Sequence, residues 1–200
     1  MSAPLVLASR SPRRAQLLRA AGYVFTTAAA DLDEEAIHPE VASPSRRVEL
    51  IAGAKARAVA ALSPGAWVLG ADTMVVLGAE ALGKPRDAEH ALWMLSRLSG
   101  TSHEVVTGLA LVAPDGHETV GFAATRVAFA RWPAGVLVAY ARSPEVLDKA
   151  GAYGIQEVAG AFVERVEGCF YNVVGLPLER LTRLWREASP EAPGPFVAAE

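Results

Sequence analysis

The apolar run Pro4-Leu5-Val6-Leu7-Ala8 ends abruptly at Ser9-Arg10 and gives way to helical spacing. A short apolar run bounded by polar residues predicts a buried strand. Ser11 is a good N-cap and Pro12 a good first helical residue, so a helix is predicted from there. Leu17, Leu18 and Ala21 form its apolar face, and Gly22 closes it. Tyr23 to Thr27 predicts a second strand, followed by a loop carrying Asp31, Asp33, Glu34 and Glu35. Ser43-Pro44 opens a longer helix running to about Leu62. Val48, Ile51, Ala58 or Val59, and Leu62 make its stripe, and Lys55 falls on that same stripe. A lysine there either snorkels outward or faces something negative inside a cleft.

Ala66 to Leu69 is the next apolar run, and Met74 to Leu77 resumes it. Between them sits Asp72, a carboxylate inside or at the edge of a core strand. Ionised carboxylates are rarely left there without a partner or a metal. Asp72 therefore reads either as a turn cap or as a catalytic or metal-binding group. A turn at Gly78 leads to Leu82-Gly83-Lys84-Pro85, which returns a cation toward the same strand edge. Asp87 caps a helix with Ala88, Ala91, Leu92, Leu95 and Leu98 inward, and Gly100 ends it.

From Thr101 the spacing changes to strands. His103 to Ala113 and Glu118 to Ala130 flank Pro114-Asp115-Gly116, a strong hairpin signal. Pro133 starts a short helix through Tyr140, and Ser143-Pro144 opens another that Gly151 interrupts. Lys149 to Gln156 reads as a glycine-punctuated loop, either a close backbone approach to a ligand or an ordinary connection. Ala161 to Val166 predicts a strand, and Leu176 to Ala188 a helix with Leu181, Leu184 and Trp185 inward. Residues 1–189 are expected to form one domain, with 190–200 a frayed tail.

Apolar residues make up 52% of the chain and charged residues 20%, which permits a packed core and excludes wholesale disorder. Mean hydropathy is +0.23, raised mainly by Ala, Val and Leu. No apolar run approaches the roughly 18 residues of a spanning helix, so no membrane partner is expected. The N-terminal charges follow the apolar run, the reverse of a signal peptide. The single cysteine, Cys169, excludes an internal disulfide and a Cys-rich zinc site and reads as a structural residue. The expected location is the cytoplasm. A net charge of -3 argues against a nucleic-acid partner, so any polyanion is a small one met at a local basic site.

Such a site has candidates. Ser9, Arg13, Arg14, Lys55 and Lys84 are potential anion binders, and Asp72 with Asp33-Glu34-Glu35 supplies carboxylates. Two arginines in the first turn of a helix oppose its dipole, so they read either as solvated surface side chains or as partners of an anion that neutralises them. The set suits a triphosphate with a divalent metal, cations gripping phosphate and carboxylates holding metal and activating water. The sequence has no Walker A motif, no Gly-x-Ser-x-Gly elbow and no Cys paired with His. Hydrolysis without a covalent intermediate is the chemistry easiest to write.

On these segments the chain resembles the Maf family of nucleoside triphosphate pyrophosphatases. The matching stretches are LASRSPRRAQLL (7–18), DLDEE (31–35), AGAKA (52–56), GADTMVV (70–76) and LGKPRDAEHA (82–91). LSGTSHEVVTG (98–108), DKAGAYGIQ (148–156) and VVGLPL (173–178) complete the set in the family's order. The resemblance implies an α/β fold: a mixed elongated sheet with flanking helices, in two lobes around a cleft, like the inosine-triphosphate pyrophosphatases. It implies hydrolysis of a nucleoside triphosphate between the α and β phosphates, with Mg2+ or Mn2+ as cofactor, by a homodimer. Carried onto this chain, Asp72 is the proton acceptor for the attacking water and Glu34 the second acidic residue, both also metal ligands. Ser9, Arg14, Lys55 and Lys84 match phosphate-site positions.

Arg13, Thr73 and Gln156 match positions that distinguish substrate groups. The forms Pro-Arg-Arg, Ala-Asp-Thr and Tyr-Gly-Ile-Gln are similar to the branch that prefers dTTP and UTP, and modified pyrimidine nucleotides are a further candidate substrate. Two alternatives stand beside this reading. One is a pyrophosphatase for 7-methyl-GTP or inosine-type purine nucleotides. The other is a non-catalytic nucleotide-binding regulator of cell division, which needs the cationic site but neither Asp72 nor a metal. His103 and Thr107 are expected to stabilise the cleft wall or hairpin.

Overall fold

In the computed structural model, which describes residues 3–29, 31–34, 36–37 and 40–190, the first strand and helix form where the apolar pattern and capping signals put them. Strand β1 is Leu5–Ala8 and helix α1 is Pro12–Ala20. Ser11 Oγ accepts from Arg14 N at 3.5 Å, and Gly22 takes a φ of 82° as the chain turns out of the helix. The remaining elements are β2 (Thr26–Ala28), α2 (Pro44–Ala60), β3 (Trp67–Leu77), β4 (Glu80–Leu82), α3 (Ala88–Leu98), β5 (Ser102–Val112) and β6 (Glu118–Phe129). They continue with α4 (Ala134–Ala141), short 3-10 segments, β7 (Val163–Glu167), α5 (Phe170–Val174) and α6 (Leu178–Ala188).

The strands form one 7-stranded sheet in the order β2-β1-β3-β5-β6-β7, with β4 paired to β3. β1 runs parallel to both β2 and β3, with Ala8 opposite Gly70, whereas β3–β4 and β6–β7 are antiparallel. The sheet is mixed and carries flanking helices, as expected for this α/β class. By contact density the chain divides into two units. The first holds the chain up to Asp72, Thr107–Ala123 and the chain from Gly175, and the second holds Thr73–Val106 and Ala124–Val174. The tail expected at 190–200 lies outside the described residues beyond position 190. Among the described residues, no helix is long and apolar enough to cross a membrane.

In the first unit, α2 lies almost directly on the sheet. Val6, Ala8, Val68, Ala110 and Val112 pack against Ala52, Ala56 and Val59. A Cβ added at Gly70 would fall 2.2 Å from Ala52 O, and one at Gly108 would fall 2.4 Å from Val48 O. The apolar stripe of α2 therefore runs through the small residues 52 and 56. Leu62, expected on it, lies past the helix end and is 77% exposed. Elsewhere in the unit, Trp67 meets Trp185 of α6 edge-on at 4.8 Å, and Leu181, Leu184 and Trp185 are buried as their spacing predicts.

The two apolar runs around Asp72 are a single strand. Gly70 and Asp72 resemble a break in sequence, but both are accommodated: the glycine by the close helix, the carboxylate by a partner on it. The second strand is shorter and later than expected, Thr26–Ala28 rather than Tyr23 to Thr27. The hairpin turn is in place, with Ala113 N donating to His117 O at 2.8 Å and Gly116 at φ 89°.

In the second unit, Asp87 Oδ1 caps α3 by accepting from His90 N at 2.7 Å. The buried face of α3 is Ala91, Met94, Leu95 and Leu98, rotated slightly from the expected one, with Ala88 exposed and Leu92 half-buried. An aromatic chain fills the core: Trp132 stacks on Phe162 at 4.3 Å and meets Phe129 at 5.6 Å, and Phe129 meets Tyr153 at 4.9 Å.

Candidate active site

β1 and β3 are neighbours whose connections leave in opposite directions. The chain passes from β1 through α1 to β2, then returns through α2 to β3 on the other side of β1. Right-handed crossovers put α1 and α2 on opposite faces of the sheet. In open α/β sheets the carboxyl ends of such a strand pair form the crevice where ligands bind. Ser9 follows β1 at that end, and Asp72 lies two positions beyond Gly70, the partner of Ala8.

The turn from β1 into α1 is cross-braced. Ser9 Oγ accepts from Ser11 N at 3.1 Å and from Arg14 Nη1 at 3.2 Å, while Arg14 Nε donates to Gly175 O at 2.9 Å. The segment 7–18 is thereby tied to the Gly175 carbonyl of 173–178, far away in sequence. Burial lowers the Arg14 pKa from its ordinary value, and the nearby charges of Asp72 and Glu34 push it back up. A guanidinium stays protonated in either case. Arg13, next to it in the first helical turn, is half-buried.

Lys55 reaches out of α2 to the carboxylates. Its Nζ lies 2.8 Å from Asp72 Oδ1 and 2.8 Å from Glu34 Oε2. Asp72 is 8% exposed, and an isolated carboxylate at that depth would be costly. The ammonium compensates it, so of the two readings of Lys55 it is the inward, charge-facing one that forms. Within the acidic segment the neighbours differ in role: Asp33 Oδ1 accepts from Ala36 N at 3.3 Å, closing a local turn. Glu35 lies outside the described residues.

Among the described residues no group of three or more His, Cys, Asp or Glu could hold a metal. Asp72 and Glu34 nevertheless converge on one cationic atom, and two hard carboxylate oxygens suit Mg2+ or Mn2+ when phosphate and water fill the other positions. Asp72 and Glu34 are the residues that would hold such a metal.

Thr73, Lys84 and Gln156 belong to the second unit. Thr73 is half-buried, and strand alternation turns it to the opposite sheet face from Asp72. Lys84 is exposed and follows Gly83, whose carbonyl accepts from Gly151 N at 3.0 Å. That bond ties the segments 82–91 and 148–156 together. Gln156 is exposed between buried Ile155 and half-buried Glu157. His103 is buried, with Nε2 2.7 Å from Tyr153 Oη, which joins 98–108 to the same loop. Half-buried Cys169 donates from its backbone N to Thr125 Oγ1 at 3.1 Å. In the same network Asn172, fully buried, donates to Val105 O at 2.8 Å and Thr125 Oγ1 at 3.0 Å.

Sequence reasoning missed several of these partners. The Gly175 carbonyl is a backbone acceptor with no side-chain signature. Lys149, Glu157 and Tyr140 converge across a loop without periodicity, so spacing gave no hint; only the lysine beside Ala-Gly-Ala was unusual.

The family model for Maf-like protein matches residues 4–188. The dTTP/UTP pyrophosphatase of Symbiobacterium thermophilum is 51% identical over 180 residues, 90% of this chain and 91% of that protein. The dTTP/UTP pyrophosphatase of Myxococcus xanthus is 51% identical over 189 residues, 94% of each. Among solved structures, a nucleoside-triphosphatase/dITP/XTP pyrophosphatase from Mycobacterium abscessus covers 65% of this chain and 76% of its own, at 21% identity and a TM-score of 0.42. Overlap at that level carries no argument about this chain.

Proposed function

Because this chain belongs to the Maf-like protein family, we propose that it is a nucleoside triphosphate pyrophosphatase acting on dTTP and UTP, releasing the monophosphate and pyrophosphate. The substrate class follows the names of relatives that are half identical over nine-tenths of the chain. The observation that carries the chemistry is the Glu34–Lys55–Asp72 cluster, set beside Ser9 and Arg14 at the carboxyl end of β1.

In this reading Asp72 takes a proton from a water whose oxygen attacks the α-phosphorus. The bond from that phosphorus to the bridging oxygen breaks, and pyrophosphate leaves with the electron pair. Lys55, Arg14 and Lys84 stabilise the charge that builds on the leaving group, and the Ser9 turn orients it. A Mg2+ or Mn2+ held by Asp72 and Glu34 together with phosphate would supply further charge neutralisation and a more acidic bound water. Arg13, Thr73 and Gln156 discriminate the base. The expected assembly is a homodimer and the expected setting the cytoplasm.

Pyrophosphate release from dTTP, UTP, CTP, 7-methyl-GTP and ITP tests this, with Mg2+ or Mn2+ and with chelator. The expected result is metal-dependent release from dTTP and UTP. Release mainly from ITP or 7-methyl-GTP would overturn the substrate, and release from none would overturn the reaction.

A further inference from the structure

The loop that presents Gln156 is built around an ion pair that the reaction above does not use. Lys149 is 5% exposed, and its Nζ meets Glu157 Oε1 at 3.0 Å, Asp148 Oδ1 at 3.0 Å and the Glu145 carbonyl. The second oxygen of Glu157 accepts from Tyr140 Oη at 3.2 Å. The same tyrosine oxygen accepts from Gly154 N at 3.1 Å. The chain Lys149–Glu157–Tyr140–Gly154 therefore grips the backbone two residues before Gln156 and one residue after it.

The backbone is fitted to this grip. A Cβ on Gly154 would lie 2.8 Å from the Glu157 carboxylate and from Lys149 Cε, so the ion pair rests on bare backbone. One on Gly160 would lie 2.3 Å from Ile155 O. Gly151 and Ala152 take φ values of 67° and 63°, and for the buried alanine that conformation is strained. Such strain persists only where surrounding bonds over-determine it, here Gly151 N to Gly83 O at 3.0 Å and Ala152 N to Lys149 O at 3.1 Å. The outcome is a loop that buries Tyr153 and Ile155 and leaves Gln156 as its exposed amide.

An ion pair between a buried lysine and a half-buried glutamate contributes little to stability, because taking the ammonium out of water offsets much of the attraction. What it supplies is a fixed direction. We propose that Lys149, Glu157 and Tyr140 are positioning residues that aim Gln156 at the nucleotide base, and so set substrate preference rather than the rate of phosphate chemistry. This rests on the role given to Gln156 above.

The test compares Gln156→Ala, Glu157→Gln, Lys149→Met and Tyr140→Phe by kcat and KM on UTP, dTTP and ITP. Tyr140→Phe keeps the ring that packs on Trp132 and removes only the hydroxyl, so it remains readable should Lys149→Met not fold. Glu157→Gln and Tyr140→Phe should raise KM for UTP and dTTP about tenfold, the worth of a hydrogen bond to a charged group. They should change kcat by less than about threefold and leave kcat/KM for ITP in place, the pattern of lost binding. Glu157→Gln added to Gln156→Ala should cost nothing more, since both act through one contact. A uniform loss on all three nucleotides, alongside a Gln156→Ala that does lower preference, would make the network merely structural and overturn the proposal. A Gln156→Ala with unchanged preference would remove the role of Gln156 itself, and the proposal with it.

Discussion

Lys55 Nζ stands 2.8 Å from Asp72 Oδ1 and is equally close to Glu34 Oε2, so one ammonium from a helix offsets a carboxylate on a strand and another in a loop. The side chains of Lys55 and Asp72 are 15% and 12% exposed, which leaves little solvent to screen a broken pair. Lys55→Met should therefore destabilise the fold by about 1–3 kcal/mol, the cost of stranding a largely buried charge. Adding Asp72→Asn should recover much of that. Urea unfolding of the two single variants and the double one gives the coupling directly. Strictly additive effects would mean the contact contributes nothing to stability.

Asp72→Asn alone separates binding from chemistry. The amide keeps the shape of the side chain and an oxygen toward Lys55, but it cannot take a proton from water. Turnover of UTP should fall at least about a hundredfold, the low end for removing a general base. Nucleotide affinity, measured by calorimetry, should change only a few-fold. Near-normal turnover would take Asp72 out of the proton-accepting role.

How much of this was legible in the sequence depends on whether the interaction is local. Ser11 and Asp87 as caps, the Asp115-Gly116 turn and the inward face of α6 are short-range devices, and each appears where the residues put it. Lys55 on an apolar stripe and Asp72 inside an apolar run were each anomalous by themselves, and their pairing resolves both. Leu62 falls off the stripe of α2 because the helix ends at Ala60, and the inner face passes through Ala52 and Ala56, where Gly70 of the sheet leaves room only for small side chains. The Lys149–Glu157–Tyr140 chain and the Gly175 carbonyl were invisible, since they depend on loops whose course no periodicity encodes.

Gly70 connects packing to the site. The hydrogen in the place of its Cβ faces α2, where a Cβ would sit 2.2 Å from Ala52 O and 3.0 Å from Ala56 N. Backbone cannot yield as a flexible side chain can, so Gly70→Ala must lift the helix that carries Lys55. Overpacking of this kind costs about 1–3 kcal/mol. Turnover should also fall by more than the loss of folded protein explains, because reacting groups misplaced by about 1 Å can lose a hundredfold. Urea titration and kcat measured on the folded fraction check both. A Gly70→Ala enzyme with normal kcat would mean that the helix shift does not reach Lys55.

His103 gives the protein a specific sensitivity to acid. It is 2% exposed, bonded to Tyr153 Oη through Nε2 at 2.7 Å and flanked by Phe129 at 5.1 Å. Burial pushes its pKa down from 6.5 to about 4. Between those values the unfolded chain binds a proton at this residue that the native protein does not, so stability rises with pH across the interval. The contribution is fully present above about pH 6.5 and is lost as pH falls toward 4, by up to about 3 kcal/mol for a shift of this size. His103→Gln removes the titrating ring, and its stability should fall less steeply than that of the unaltered protein between pH 6.5 and 4.5. Urea midpoints across that range read the difference in slope, and any carboxylate contributions common to both proteins cancel. Parallel slopes would mean that the buried imidazole takes up its proton without unfolding.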